Sequence, residues 1–296
     1  NLVRQVDHPS LGVLLDSFHT LSLKGDPSAI AQIPGDKIFF VQMADAPILA
    51  MDVLEWSRHF RCFPGQGEFD LAGFLAPIIQ SGYTGPLSLE IFNDGFRAAP
   101  TRANAADGLR SLLYLEEKTR QRLAEVAPAV PVDILFETPP ASEYDGIEFL
   151  EFAVDENLAA KLSHWLERLG FVKAGQHRSK SVSLLRQGDI NLILNCEPYS
   201  FAHNFFEAHG PSLCATAIRV KDSAKALERA VAYKGQPYRG LVGPNELELA
   251  AVRAPDGSLI YLVDQHAGGI YDTDFNLQTA SSNSGGLLRI DHMAMA

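Results

Sequence analysis

The sequence predicts an α/β unit followed by an α+β unit, and three observations carry that reading. Up to about residue 125, short apolar runs alternate with helical patterns, as in βα units around a parallel sheet. Residues 126–143 are rich in proline, which gives a semi-rigid, extended connection. Beyond Tyr144 a strand–helix–strand–strand–strand pattern is written approximately twice.

In the first unit, Gly12-Val-Leu-Leu-Asp16 is a short buried strand that ends in an acid. Ala29 to Gln32 reads as a short helix and Lys37-Ile-Phe-Phe-Val-Gln42 as a second strand. Leu71 to Ser81 is an amphipathic helix closed by a Gly82-Tyr-Thr-Gly85 turn. Leu87-Ser-Leu-Glu-Ile91 is a third strand, and Thr101 to Leu123 a long charged helix. In the second unit a strand covers 146–153, and a helix over Leu158–Leu169 closes at Gly170. Strands follow at Ser181–Arg186, Ile190–Asn195 and Cys214–Val220, then a helix over Ser223–Tyr233 and strands at Leu247–Arg253 and Leu259–Asp264. After the Ser281-Ser-Asn-Ser-Gly-Gly286 stretch, Leu288-Arg-Ile-Asp-His-Met-Ala repeats the opening Asp145-Gly-Ile-Glu-Phe-Leu-Glu, and is expected to be the first strand of another copy. Because the chain starts without methionine and stops inside this strand-like run, it is expected to be an interior piece of a longer polypeptide.

Composition narrows the class. With 46% hydrophobic residues the 296-residue chain can bury a sizeable core. A net charge of −11 disfavours nucleic acid and anionic membrane surfaces as partners. No apolar stretch reaches the roughly 18 residues of a membrane span. The three cysteines, Cys62, Cys196 and Cys214, fit neither a zinc site nor a disulfide framework, so a reducing cytoplasm is expected.

Each strand of the first unit has one polar residue at or near its C-terminal end: Asp16, Gln42 and Glu90. In a βα barrel these ends build the active site. A carboxylate between Leu89 and Ile91 is costly to bury unless it is paired or bound to metal. Three oxygen donors there suit Mg²⁺, Mn²⁺ or a similar hard cation. The alternative is that Asp16 caps a helix, Gln42 is satisfied by backbone and Glu90 pairs with a basic side chain. His19 is expected in the loop above the same strand. Arg61 precedes a turn with glycines at 65 and 67, and its planar fork suits a substrate carboxylate or phosphate. A solvent-exposed histidine and a surface arginine are the competing readings.

Asp16-Ser-Phe-His19, Phe40-Val-Gln-Met-Ala-Asp45, Arg61-Cys-Phe-Pro-Gly-Gln-Gly67 and Tyr83-Thr-Gly-Pro-Leu-Ser-Leu-Glu90 resemble the sugar-phosphate isomerase/epimerase barrels. More narrowly, they resemble the bacterial two-domain 3-dehydroshikimate dehydratases, in which such a barrel is fused to a 4-hydroxyphenylpyruvate dioxygenase-like domain. The resemblance implies that residues 1–125 are the C-terminal part of a TIM (β/α) barrel. It also implies that Asp16, Gln42 and Glu90 are three of four ligands to Mg²⁺, Mn²⁺ or Co²⁺, the fourth being a glutamate expected before residue 1. The isolated chain is therefore expected to bind metal weakly and turn over poorly.

The second unit resembles the dioxygenase in Gly170-Phe, His177-Arg-Ser-Lys180, Arg186-Gln-Gly-Asp-Ile-Asn191, His209-Gly-Pro-Ser212 and Tyr271-Asp-Thr-Asp-Phe275. Its doubled βαβββ pattern resembles the paired modules of vicinal-oxygen-chelate proteins. By that resemblance residues 144–278 are the N-terminal half of the domain, and 287–296 begin its truncated C-terminal half, where His292 would be the first ligand of a second divalent metal. Aligning Ile147-Glu-Phe149 with Ile290-Asp-His292 puts phenylalanine, which cannot bind metal, at that position of the first copy. That makes residues 145–275 a scaffold. His177, His203 and His209 are read as structural, with ligation as the alternative.

The function these resemblances imply is dehydration of 3-dehydroshikimate to protocatechuate. Asp16, Gln42 and Glu90 would hold the metal, His19 would act as general base or acid, with a base from the part expected before residue 1 as its rival, and Arg61 would hold the substrate carboxylate. Homogentisate formation by an Fe(II) dioxygenase, or isomerase/epimerase chemistry in the barrel, are the alternative activities. The second unit could instead be a catalytically silent module that supports a homo-oligomer.

Overall fold

The computed structural model describes residues 2–264, 269–278 and 285–294. It divides into two compact units, residues 1–138 and 139–296.

In the first unit a short helix α1 (Leu2–Val6) precedes strand β1 (Val13–Asp16) and helix α2 (Ser17–Leu21). Two 3₁₀ turns, Pro27–Gln32 and Gly35–Lys37, lead into β2 (Ile38–Met43). Helices α3 (Val53–His59) and α4 (Leu71–Gln80) follow, then β3 (Leu87–Leu89), α5 (Asp94–Ala98) and the long α6 (Thr101–Val126). The three strands form a parallel sheet in the order β1-β2-β3, the arrangement expected of consecutive βα units. Its register sets Asp16 beside Gln42 and Met43 beside Leu89. The C-terminal ends of the three strands are therefore level, with Glu90 one residue beyond β3. Val41 and Met43 on the sheet pack with Phe74, Leu75 and Ile78 of α4 and with Leu115 and Leu123 of α6.

Three expectations change here. His19 stands in helix α2 and not in a loop, because Asp16 accepts hydrogen bonds from the Phe18 and His19 amides and so caps a helix directly at the strand end. The proline-rich stretch is not simply an extended connector. Its Leu135 is buried in the first core with Val130 and Val132 beside it, Arg120 Nη2 donates to the Leu135 carbonyl (2.6 Å), and the Phe136 amide donates to Glu116 (2.7 Å). Apolar residues spaced among the prolines make that return favourable. The sequence reading also passed over α3, whose signal was the Asp52 cap bonded to the Leu54 and Glu55 amides.

The second unit contains β4 (Tyr144–Ala153), α7 (Glu156–Arg168), β5 (Val172–His177), β6 (Val182–Gln187) and β7 (Ile190–Asn195). Helix α8 (Phe201–His209) leads to β8 (Ser212–Val220), α9 (Ser223–Ala232), β9 (Gln236–Tyr238), β10 (Ala250–Arg253) and β11 (Leu259–Asp264), and then to α10 (Ile270–Asp274) and β12 (Phe275–Leu277). This is βαβββ twice, with α8 between the copies. Among the described residues the strands form one sheet in the order β12-β5-β6-β7-β4-β8-β11-β10-β9. The first strand of each copy lies parallel to the last strand of its own copy (β4 with β7, β8 with β11), and β4 and β8 meet antiparallel. The two copies thus have matching halves of the sheet on either side of the β4–β8 pair.

The run 287–294 is assigned to no strand. The Leu287 amide bonds Gln187 Oε1 (3.0 Å), and Ile290 packs beside Phe171, Leu185 and Leu192. An extended segment becomes a strand only when a neighbour completes its ladder, and side-chain contacts alone do not supply one.

Candidate active site in the first unit

Asp16, Gln42 and Glu90 come together at the C-terminal ends of β1, β2 and β3. Gln42 Nε2 donates to Glu90 Oε1 at 2.6 Å. Asp16 Oδ1 is taken by the cap of α2, and Oδ2 accepts from Arg61.

Arg61 fills the space between the carboxylates. Its Nη1 donates to Asp16 Oδ2 (3.1 Å), to Glu90 Oε2 (2.9 Å) and to the Glu90 carbonyl (3.3 Å). Its Nε and Nη2 donate to Ser57 Oγ at 3.3 and 2.8 Å, and Nη2 is 3.4 Å from His19 Nε2. The guanidinium lies over the rings of Phe18 and Phe92, 4.7 and 5.3 Å from their centroids. Arg61 is only 1% exposed, so it is not a surface arginine. Its backbone is fixed as firmly as its side chain. Cys62 and Asp45 exchange backbone hydrogen bonds, the Arg61 amide donates to the Phe92 carbonyl, and Asn93 Nδ2 donates to the Arg61 carbonyl.

His19 is the open member of the group. Its side chain is 63% exposed, and its Nε2 stands 3.6 Å from Asp16 Oδ2. Its ring is thus open to a molecule entering from solvent, beside the Asp16 carboxylate.

Two residues that the sequence reading did not single out build this site. Ser57 grips two nitrogens of Arg61. Asp45, 1% exposed, accepts from the amides of Ala46, Gly65 and Phe69 and so shapes the turn after Arg61. Gly65 adopts φ +86°, and a Cβ on Gly67 would fall 2.4 Å from Asp45 Oδ1, so both positions require glycine. The signal for Asp45 was present in the sequence, since an acid closing the apolar run Phe40–Ala44 is costly unless it is satisfied. Cys62 beside it is no nucleophile. Burial, reinforced by the Asp45 charge, pushes its thiol up to about 12.

The residues present fit a hard divalent cation. The available donors are all oxygen, and Gln42 Oε1 accepts no hydrogen bond among the described residues. Two carboxylate oxygens already converge on one positively charged nitrogen, which marks a place where the protein needs positive charge. The set reaches three donors only by counting the Gln42 amide. No group of three His, Cys, Asp or Glu side chains suited to a metal occurs among the described residues.

Among its described residues the second unit gathers no such set. His177 is buried, and burial lowers its pKa against the opposing pull of Glu246. His203 and His209 stand on α8 against Tyr199 and Phe205. The His292 side chain is 84% exposed and pairs with Asp291 (2.9 Å), while Phe149, its counterpart in the first copy, is buried in the sheet core.

Comparison with known proteins agrees with the two-unit architecture. Residues 1–115 match the xylose isomerase-like TIM barrel family, and residues 136–276 match the N-terminal part of hydroxyphenylpyruvate dioxygenase. The whole chain is 75% identical to a 3-dehydroshikimate dehydratase of Pseudomonas putida and 72% identical to one of Pseudomonas aeruginosa, covering 47% of each. A solved xylose isomerase-like TIM barrel/4-hydroxyphenylpyruvate dioxygenase fusion protein superposes with a TM-score of 0.91 at 75% identity, over 99% of this chain and 47% of that one. The chain thus spans about half the length of these relatives. No described helix is long and apolar enough to cross a membrane.

Proposed function

We propose that this chain, which is similar over its whole length to part of the proteins that fuse a xylose isomerase-like TIM barrel to a 4-hydroxyphenylpyruvate dioxygenase-like domain, serves the dehydration of 3-dehydroshikimate to protocatechuate. The observation that carries the reading is the meeting of Asp16, Gln42 and Glu90 at the level ends of three parallel strands, with Arg61 and His19 beside them.

In this reading Asp16 Oδ2, Glu90 and the Gln42 amide oxygen hold a divalent cation, Mg²⁺, Mn²⁺ or Co²⁺. The cation supplies Lewis acidity toward the ketone of the substrate. The Arg61 guanidinium would hold the substrate carboxylate, which its planar fork fits. Ser57 keeps the fork oriented. His19 takes the ring proton whose removal opens the dehydration, and it is exposed enough to return a proton to the departing hydroxyl. Loss of one proton and one hydroxide balances as water and leaves an aromatic ring. The three cysteines are free, in keeping with the reducing cytoplasm where we place the reaction.

The test supplies 3-dehydroshikimate and Mn²⁺ to this chain and to a form extended to the length of the fusion relatives, and identifies the product by mass. Protocatechuate from the extended form, lost in Glu90→Ala, supports the proposal. Homogentisate from 4-hydroxyphenylpyruvate and Fe(II), with no protocatechuate, would move the chemistry to the other domain.

A further inference from the structure

The sheet and helix α8 of the second unit line an open cavity that the barrel chemistry does not use. Its main chamber is about 810 Å³, within the usual range for small-molecule sites, and a side branch adds about 170 Å³. On β8, Ala217 and Ala215 stand opposite Phe149 and Glu151 of β4, two residues that line the cavity.

Glu151 lies at the floor of this cavity and is only 9% exposed. Its Oε1 accepts from Asn195 Nδ2 at 2.6 Å, while Oε2 has no hydrogen-bond partner among the described residues. Across β8, Tyr261 lines the same chamber, and its hydroxyl is equally without a described partner. A carboxylate with one unpaired oxygen and a phenol with an unpaired hydroxyl are costly to hold in an apolar trough. Burial accordingly raises the pKa of both groups. Phe149, Val182 and Ile193 give the side branch an apolar wall, and Phe201 and Phe205 do the same for part of the main chamber, whose mouth also carries Asn195, Asn204 and Arg253.

The charges around the cavity select against anions. Lys180 is tied to Glu246 at 2.6 Å, and Arg253 at the rim is turned onto the rings of Phe201 and Tyr238. Glu151 and Glu246 both line the side branch and add negative charge. The chemistry that fits is a ring with neutral hydroxyl groups, one donating to Glu151 Oε2 and one exchanging a hydrogen bond with Tyr261.

We propose that this cavity is a binding site for a small uncharged hydroxylated ring, with Glu151 and Tyr261 as its recognition groups. The site lies wholly within the second unit and is independent of the dehydration reading. It makes this unit a ligand-binding module and not only a scaffold.

Catechol is the probe. Isothermal titration calorimetry at neutral pH is expected to show one saturable site per chain with a Kd at or below about 1 mM. Glu151→Gln retains an oxygen for Asn195 but replaces the free acceptor with a donor. It is expected to weaken catechol about tenfold or more with an unchanged thermal midpoint, and Tyr261→Phe to weaken it several-fold. 1,2-Dimethoxybenzene, which has no hydroxyl, and benzoate, which is anionic, are expected not to saturate. Absence of saturable catechol binding, equal affinity in Glu151→Gln, or dimethoxybenzene binding as well as catechol would each overturn the proposal.

Discussion

Gln42 donates to Glu90 at 2.6 Å although 48 residues separate them in the chain, and the bond joins the ends of two neighbouring parallel strands. It ties two candidate metal donors to each other before any cation arrives, which lowers the ordering cost of binding one. Removing either partner is expected to weaken Mn²⁺ binding, by about 10- to 100-fold for Gln42→Ala and by more for Glu90→Ala. Electron paramagnetic resonance of free Mn²⁺ during titration reads the affinity directly, and equal affinity in both variants would remove these residues from the site.

Arg61 neutralises Asp16 and Glu90 from a fully buried position. Replacing it with methionine leaves two carboxylates near each other without compensation, and is expected to cost about 3–5 kcal/mol in urea denaturation without metal. If a cation binds between those carboxylates, saturating Mn²⁺ restores a large part of the loss. Stability that ignores metal in Arg61→Met would argue that no cation lies there.

Asp45 organises the turn after Arg61 through three backbone amides. Asp45→Ala strands those donors in a buried place and is expected to cost about 3 kcal/mol. Hydrogen exchange should speed up first at the Gly65 and Phe69 amides, which checks that the loss begins in this turn.

Glu246 sets a pH response in the second unit. Burial opposes its ionised form, yet Lys180, Ser179 and the Gly243 amide hold its carboxyl down at about 2 from an ordinary 4.5. A pKa depressed by folding stabilises the fold above about pH 4.5, and the contribution is lost as pH falls toward 2. His177 acts at higher pH. Its pKa is lowered from 6.5 by burial, so stability begins to fall as pH drops below that value and the unfolded chain gains the proton first. Denaturation midpoints of Glu246→Gln should be lower at neutral pH and flatter between pH 4.5 and 2, with the slope near pH 6 retained until His177 is also replaced.

How much was legible in the sequence depended on whether the determinant was local. The strands ending at Asp16 and Gln42 and the helix from Thr101 are set by nearby apolar runs, and they stand where those runs placed them. Strand β5 escaped notice because Lys173, Gly175, Gln176 and His177 give it no apolar alternation, and pairing with β6 and β12 creates it. Helix α8 was hidden behind Ser200, whose cap on the His203 amide was the available signal. The burial of Arg61 could not be read locally, since it depends on carboxylates 45 and 29 residues away. The alternative readings of Asp16 as a helix cap and of Glu90 as the partner of a basic residue both describe real contacts, which coexist with a donor set that suits a metal.

The pairing of β4 with β8 has a consequence for the history and assembly of the second unit. Each βαβββ copy completes its own four strands, and the copies are joined by the irregular antiparallel β4–β8 pair and by β12, which follows the second copy and pairs with β5 of the first. A chain severed between β7 and β8 would therefore yield two complementing fragments whose sticky borders are the opening strands of equivalent motifs. Such borders are interchangeable in principle, so either fragment could pair with a twin as well as with its native counterpart. The internal seam of this domain is in that sense a dimer interface that has been written into a single chain.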